Sequence, residues 1–447
     1  MNHTFQVVYV PIGVPTFDLN AAQAEFEKSC EVLHQIIDGV ICPEQMLLSL
    51  DLLENYLDQL HPDMIILQNI TFANAAYVSK VIHEFTCPVL LWTLREPAVD
   101  GGRLRLNSLT GAYSASNTLF NHGYTQMEYV FGSPSEAYVQ NEIRSIVQAI
   151  RLKKDLEHLK IASVGHTPEG FGFGRALDTE MQHVFGAELV CVEARELMDL
   201  ANSYTDEECA EFMQETEKCT VCFEQTPEKN RLGHARLYKA YLEYAAKNQI
   251  GALASRCWPD FFTNYGTPVC TVLSMLNDRG IAASCEADTY GALSMYVGMQ
   301  LTGKAAFFGD PVSMDEAENT ITYWHCGMGA CSLAHPAAGA KIGVHPNRKI
   351  GPAMDFGCRS EGSVTVFRIG RKPDGSFRFF LTAGKSLDKP KQFTGTTVVV
   401  ETESSSREIV ESSVRDGWEP HFVVIYGDVC REIEILGRQL GIEVYRY

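Results

Sequence analysis

From residue 5 to about residue 315 the chain repeats one pattern: a short apolar run, a polar turn, a longer segment with apolar residues at helical spacing, and another apolar run. The runs FQVVYV, DMIILQ and PVLLWTL occupy the first 100 residues, and KIASVG, ELVCVEA, GALAS, GIAASCE and AAFFGD follow. Between them, helical spacing appears near 20–38, 45–60, 71–84, 174–185, 205–216, 228–247, 268–278 and 289–301. Strands that are apolar on both faces and separated by amphipathic crossovers build parallel sheets covered by helices. The pattern therefore predicts an α/β protein with two doubly wound, flavodoxin- or Rossmann-like domains. A Lys/Glu-rich helix around 140–158 would join them. Past residue 315 the texture changes to TITYWHC, AKIGVHP, GSVTVFRIG, SFRFFLTAGK and TTVVVETE, separated by Gly, Pro, Asp and Lys turns. That predicts a β-barrel-like C-terminal domain, closed by a helix near 405–416 and a helix–strand pair over 428–447. The expected domains are 1–155, 156–315 and 316–447.

Charge excludes one large class of function. A net charge of −19 gives no basic footprint for nucleic acid. No apolar stretch reaches the roughly 18 residues that a membrane span needs. The N-terminus MNHTFQVVYVPIG reads as a first strand without a basic leader, so a cytoplasmic protein is expected. The 14 cysteines are scattered, mostly through apolar runs, and read as small buried hydrophobes rather than disulfides.

Two carboxylates stand out. Cys285-Glu286-Ala287-Asp288 and Phe307-Phe308-Gly309-Asp310 place Glu286 and Asp310 at the ends of buried-looking strands. Carboxylates at the C-terminal ends of α/β strands face the crevice where such folds bind ligands, and burial demands a partner for their charge. His421, in Trp418-Glu419-Pro420-His421, precedes another apolar run. Two carboxylates and one imidazole suit Mn²⁺ or a similar divalent ion. Arg256, Trp258 and Asn264 follow the strand GALAS and could wall a polar ligand. His325 enters the Gly-rich turn His325-Cys326-Gly327-Met328-Gly329, close in sequence to Asp310. Gly170-Phe171-Gly172-Phe173-Gly174 lacks the spacing of a phosphate loop and reads as a sharp turn or a substrate-lining loop. His166, His335 and His345 lie in Pro/Gly-rich loops, where exposure is the default. Trp92 and Arg95 end the strand PVLLWTL, another position where ligands are met.

The stretches RCWPDF (256–261), PVCTVLSMLNDRGIAASCEADTYGALSM (268–295), FFGDP (307–311), HCGMGA (325–330) and EPHFVVIYGDV (419–429) resemble the L-fucose isomerase / L-arabinose isomerase family, in its shorter fucose isomerase-like branch. The resemblance runs through the whole chain in domain order. It implies aldose–ketose isomerisation through a cis-enediol with a divalent metal, Mn²⁺ or another such as Co²⁺ or Mg²⁺. It implies that Glu286, Asp310 and His421 hold the metal and that Glu286 and Asp310 carry the proton. His325 matches a further metal histidine of the arabinose branch only. Substrate contacts are expected from Arg256, Trp258, Asn264, His325, Arg95 and Trp92. The substrate would be a hexose altered at C6, either a 6-deoxy sugar or sulfoquinovose, or else a pentose. Homotrimers or homohexamers are implied, in which the first domain of a neighbour closes each site. The three ligands would equally serve a sugar-acid epimerase or dehydratase, and two doubly wound domains would also serve a sugar-binding protein.

Overall fold

A computed structural model describes residues 5–124 and 127–447, so the first four residues of the expected N-terminal strand lie outside it. The chain divides into two compact units, Met1–Arg151 and Leu152–Tyr447. The helix Ala137–Glu157 carries the chain across that boundary, where the sequence predicts a joining helix.

The first unit is built on a parallel sheet of β1 (Val7–Ile12), β2 (Met64–Asn69), β3 (Val89–Thr93) and β4 (Met127–Phe131), in that order. Every residue of β1, β2 and β3 is buried, which is why each reads as a continuous apolar run. On the outer edge of β1, Ile41 and Leu47 bridge in parallel to Val8 and Ile12. The chain thus moves first to one side of β1 and then to the other. The helix predicted over 45–60 is shorter for this reason: Leu47 is held by β1, and the helix is Leu50–Leu57, started by the Ser49 side chain accepting from the Leu52 amide.

In the second unit β5 (Lys160–Val164), β6 (Glu188–Val192), β7 (Ala252–Ser255) and β8 (Ala282–Cys285) form a parallel sheet in the order β6-β5-β7-β8. Its direction reverses at β5, which opens a crevice beyond the C-terminal ends of β5 and β7. The predicted helix near 174–185 is instead a tight turn, Gly172–Gly174, followed by short helical turns over 178–185.

The chain then forms β9 (Phe307–Asp315) and β10 (Thr320–His325), the two-residue strands β11 (Ile342–Gly343) and β12 (Ala353–Met354), and β13 (Gly362–Arg371), β14 (Phe377–Ser386), β15 (Thr396–Thr402), β16 (Phe422–Ile425) and β17 (Glu443–Arg446). Six of these make a barrel in the order β13-β16-β9-β10-β15-β14, closed by pairing of β14 with β13, and β17 is added in parallel to β14. The mixed α/β architecture with parallel sheets and a C-terminal barrel is therefore present. The helix Thr289–Thr302 is buried on all sides over residues 289–299 and lies between β7 and β8 on one side and β13 and β16 on the other. A helix that is apolar all round belongs in an interior, and this one joins the parallel sheet and the barrel into one core.

Candidate active site

Strand β8 ends at Cys285, and the next two residues break its course. Glu286 and Ala287 both adopt left-handed backbone angles, φ 58° and 53°. Non-glycine residues avoid this region, at roughly 1–3 kcal/mol each, and persist there where surrounding structure holds them. The kink turns the Glu286 side chain toward the barrel. Asp288 then caps the helix Thr289–Thr302, its side chain accepting from the Gly291 amide at 2.9 Å.

The barrel supplies the other groups from three adjacent strands. His325 is the last residue of β10, Asp310 lies within β9 opposite Trp324, and His421 directly precedes β16, whose Phe422 pairs with Gly309. Asp310 is therefore not at a strand end: β9 continues to Asp315, and Asp310 marks where its buried half gives way to an exposed half. Nor do Glu286 and Asp310 sit on neighbouring strands, the arrangement considered from the sequence. One follows the parallel sheet, the other belongs to the barrel, and His421 stands between them.

His421 Nε2 is 3.0 Å from Glu286 Oε2 and 3.5 Å from Asp310 Oδ1, and His325 Nε2 is 3.9 Å from Glu286 Oε2. Ligand atoms of Glu286, His325 and His421 all fall within 4.8 Å of one another. Both histidines are buried. On its far side His421 Nδ1 donates to Asp288 Oδ2 at 2.8 Å. Asp288 is held in turn by Arg368, through Nη1 at 2.6 Å and Nη2 at 3.0 Å, and both residues are fully enclosed. The Phe308 ring backs His421 at 4.6 Å between centroids, and Phe173 and Phe171 approach it at 5.3 and 6.3 Å. The loop Gly170–Gly174 thus lines the site. Gly174 has to be glycine because a Cβ would stand 2.7 Å from Asp288 Cα.

The charges respond to this packing. Burial would raise the Glu286 carboxyl, but hydrogen bonds from His325 and His421 outweigh it and hold Glu286 well below the usual range. Burial likewise opposes the Asp288 charge, and Arg368 and His421 overcome it. For His421 burial disfavours the cation, yet Asp288 and Glu286 push it up to about 10. Asp310 is raised by burial, against the pull of His421 and His325.

No family model matches the chain. Curated relatives match it from end to end. A sulfoquinovose isomerase of Clostridium sp. (strain MSTE9) is 59% identical over 443 residues, covering 99% of each chain. Sulfoquinovose isomerases of Priestia aryabhattai and Alkalicoccus urumqiensis are 39% and 35% identical over 99% and 98% of each chain. The chain belongs to the sulfoquinovose isomerase family. It is an aldose–ketose isomerase.

The other predicted contacts of the isomerase fall in two places. Arg256 follows β7 in the crevice, with Nε bonded to the Trp258 carbonyl at 3.2 Å and to Asp260 at 2.9 Å. Trp258 meets Phe171 edge to face at 6.3 Å, and the exposed Asn264 bonds Asp260 at 3.2 Å. In the first unit Trp92 is wholly enclosed and its indole donates to the Gly132 carbonyl at 2.9 Å. It therefore offers no surface to a ligand, contrary to the sequence expectation: its place at a strand end is filled by packing. Arg95 is exposed, paired with Glu136 at 2.7 Å and lying over Phe131. His345, expected on the surface, is buried. Asp288 and Arg368 escaped the sequence reading as functional residues. The one available signal was Asp288 itself, a second carboxylate two positions after Glu286 in an otherwise apolar stretch.

Proposed function

We propose that this isomerase interconverts sulfoquinovose and its 2-ketose isomer, with Glu286, His325, His421 and Asp310 gathered around one divalent cation, Mn²⁺ or a similar ion such as Co²⁺ or Mg²⁺. One observation carries the reading. With Nδ1–H donated to Asp288, the His421 ring turns Nε2 toward the oxygens of Glu286 and Asp310 at 3.0 and 3.5 Å, an edge that holds a proton until a cation displaces it. Acceptors facing acceptors at such distances require a proton or a cation among them. The mixed imidazole and carboxylate donors fit a divalent ion of this kind. When bound, such an ion would polarise the sugar's carbonyl group and make the C–H bond on the adjacent carbon more acidic.

The protein groups then divide the work. Glu286, held anionic by two histidines, serves as ligand and orienting charge. Glu286 and Asp310, the latter the more exposed of the two, share the proton transfer between C1 and C2. Phe171, Phe173 and Phe308 exclude water around the cis-enediol. Arg256, Trp258 and Asn264 contact the remainder of the sugar. We further place the enzyme in the cytoplasm as a homotrimer or homohexamer, in which Arg95 of one subunit contributes to the site of another.

Sulfoquinovose incubated with Mn²⁺-loaded protein should yield the ketose, and product formed in D₂O should carry deuterium at the carbon that gains the proton. EDTA should abolish turnover and Mn²⁺ restore it. Glu286→Gln should lower kcat by at least about a thousandfold, as expected for loss of a group that acts on both metal and substrate. Full activity of metal-free protein would sink the metal reading, and complete retention of substrate deuterium in H₂O would sink the proton-transfer reading.

A further inference from the structure

The segment 345–350 is a closed turn with a buried histidine at its root. The His345 amide donates to the Ile350 carbonyl at 3.0 Å, and its carbonyl accepts from the Lys349 amide at 2.9 Å. His345 Nδ1 accepts from the amides of Asn347 and Arg348, each at 3.3 Å. The ring packs edge-on against Phe262 at 5.0 Å, in the stretch 256–265 that also carries Trp258. These contacts fix the backbone of Arg348 beside that stretch. The Arg348 side chain is exposed, and its guanidinium carbon lies 4.8 Å over the Trp258 ring.

Three other arginines of this unit, Arg256, Arg368 and Arg371, are held by the carboxylates of Asp260, Asp288 and Glu180, while Arg175, directly after the Gly170–Gly174 loop, donates to Thr167 Oγ1 at 3.5 Å. Among the described residues no carboxylate lies within ion-pair distance of Arg348. A guanidinium stacked on an indole keeps its in-plane N–H donors free, and that fork matches the oxygens of a planar or tetrahedral oxyanion. One aromatic ring, Phe171, separates Trp258 from His421, at 6.3 Å from each. An extended hexose has five carbon–carbon bonds of about 1.5 Å each and spans about 6 Å from C1 to C6. That length covers the 6.3 Å step from His421 to Phe171, the ring that in turn meets Trp258 beneath Arg348. In a protein of net charge −19, an anionic substrate group needs a local cation of this kind.

We infer that Arg348, presented on Trp258 by the His345 turn, is the specificity residue that binds the sulfonate at C6; this rests on the substrate reading above. Steady-state kinetics on sulfoquinovose with wild type, Arg348→Met and Arg348→Lys test it, with thermal melting to confirm that each variant folds. Arg348→Met should raise KM at least tenfold and change kcat far less, and Arg348→Lys should recover part of the loss. Added KCl should raise the wild-type KM, and this salt dependence should flatten in Arg348→Met. A KM for Arg348→Met within threefold of wild type, or a loss carried by kcat with KM unchanged, overturns this inference alone. A folded, metal-loaded wild-type enzyme that fails to convert sulfoquinovose rejects the substrate reading and this inference with it.

Discussion

A single imidazole, His421, has its two nitrogens bound to different tasks, and Asp288 decides which is which. By accepting from Nδ1–H it fixes the tautomer and leaves Nε2 to face Glu286 and Asp310. Carboxylates that orient a ligating histidine in this way are worth about 10–100-fold in metal affinity or activity. Asp288→Asn should therefore weaken Mn²⁺ binding and kcat/KM by that factor, measured by metal titration and initial rates. It should also destabilise the protein by about 3–5 kcal/mol, because the enclosed Arg368 loses its carboxylate. The two effects can be separated. Adding Arg368→Leu to Asp288→Asn removes the uncompensated cation and should recover much of the stability in urea unfolding, with no recovery of metal affinity. Wild-type Mn²⁺ affinity in Asp288→Asn would count against the orienting role. This chain of contacts was hidden in the sequence because its members lie 80 and 133 residues apart, and no local spacing connects them. Glu286 and His421 stood out for the opposite reason, each lying where a short apolar strand meets a turn, but it was the family resemblance that joined them with Asp310, and His325 was expected against the substrate.

Elements differed in legibility according to where their small residues point. Strands buried on both faces were plain. The helix Ser108–Asn121 was not, because its buried face is made of Ser108, Gly111, Ala112, Ala115, Thr118 and Leu119, while Leu109, Tyr113 and Phe120 face outward. Gly111 passes so close to β2 that an added Cβ would stand 2.5 Å from Asn69 Oδ1. Its apolar periodicity thus marks the wrong side. The helix Glu228–Asn248 hides a different feature, the fully buried His234. Its Nε2 meets Thr216 Oγ1 at 2.9 Å, while Nδ1 has no partner among the described residues. Protonation would place an unpaired charge in the core, and burial lowers its pKa to about 3. At neutral pH the ring is uncharged in folded and unfolded chains alike. Below pH ~6.5 the unfolded chain takes up a proton that the folded one refuses, so stability falls with pH until the folded pKa is reached. At pH 5 this amounts to about 2 kcal/mol. His234→Phe should remove it: between pH 7 and pH 5, urea unfolding should show the wild type losing about 2 kcal/mol more than the variant. Equal losses in the two proteins would show that His234 does not govern acid stability.

For the whole molecule, the first unit presents the question. Tyr113 and Phe120 are 73% and 81% exposed on one face of the helix Ser108–Asn121, with Leu109 beside them. Val99, Leu104, Tyr129 and Tyr138 are also exposed within the same 40-residue stretch of chain. Single exposed apolar residues are ordinary, but a concentration of them marks a surface that meets another protein. The oligomer proposed above would cover this surface with a second copy of the chain. Light scattering should give a mass three or six times the 49.7 kDa of one chain. Tyr113→Asp combined with Phe120→Asp should lower that mass and reduce activity, since both side chains are exposed and their replacement leaves the unit's core intact. Whether a neighbour also completes each site is a separate matter, tested by mixing. Arg95→Ala and Glu286→Gln subunits, each inactive alone, should regain activity when exchanged. Random assembly pairs an intact Glu286 with a neighbour's intact Arg95 in about one quarter of the sites. A monomer at working concentration would reject the oligomer, and mixed assemblies that stay inactive after confirmed subunit exchange would reject the shared site.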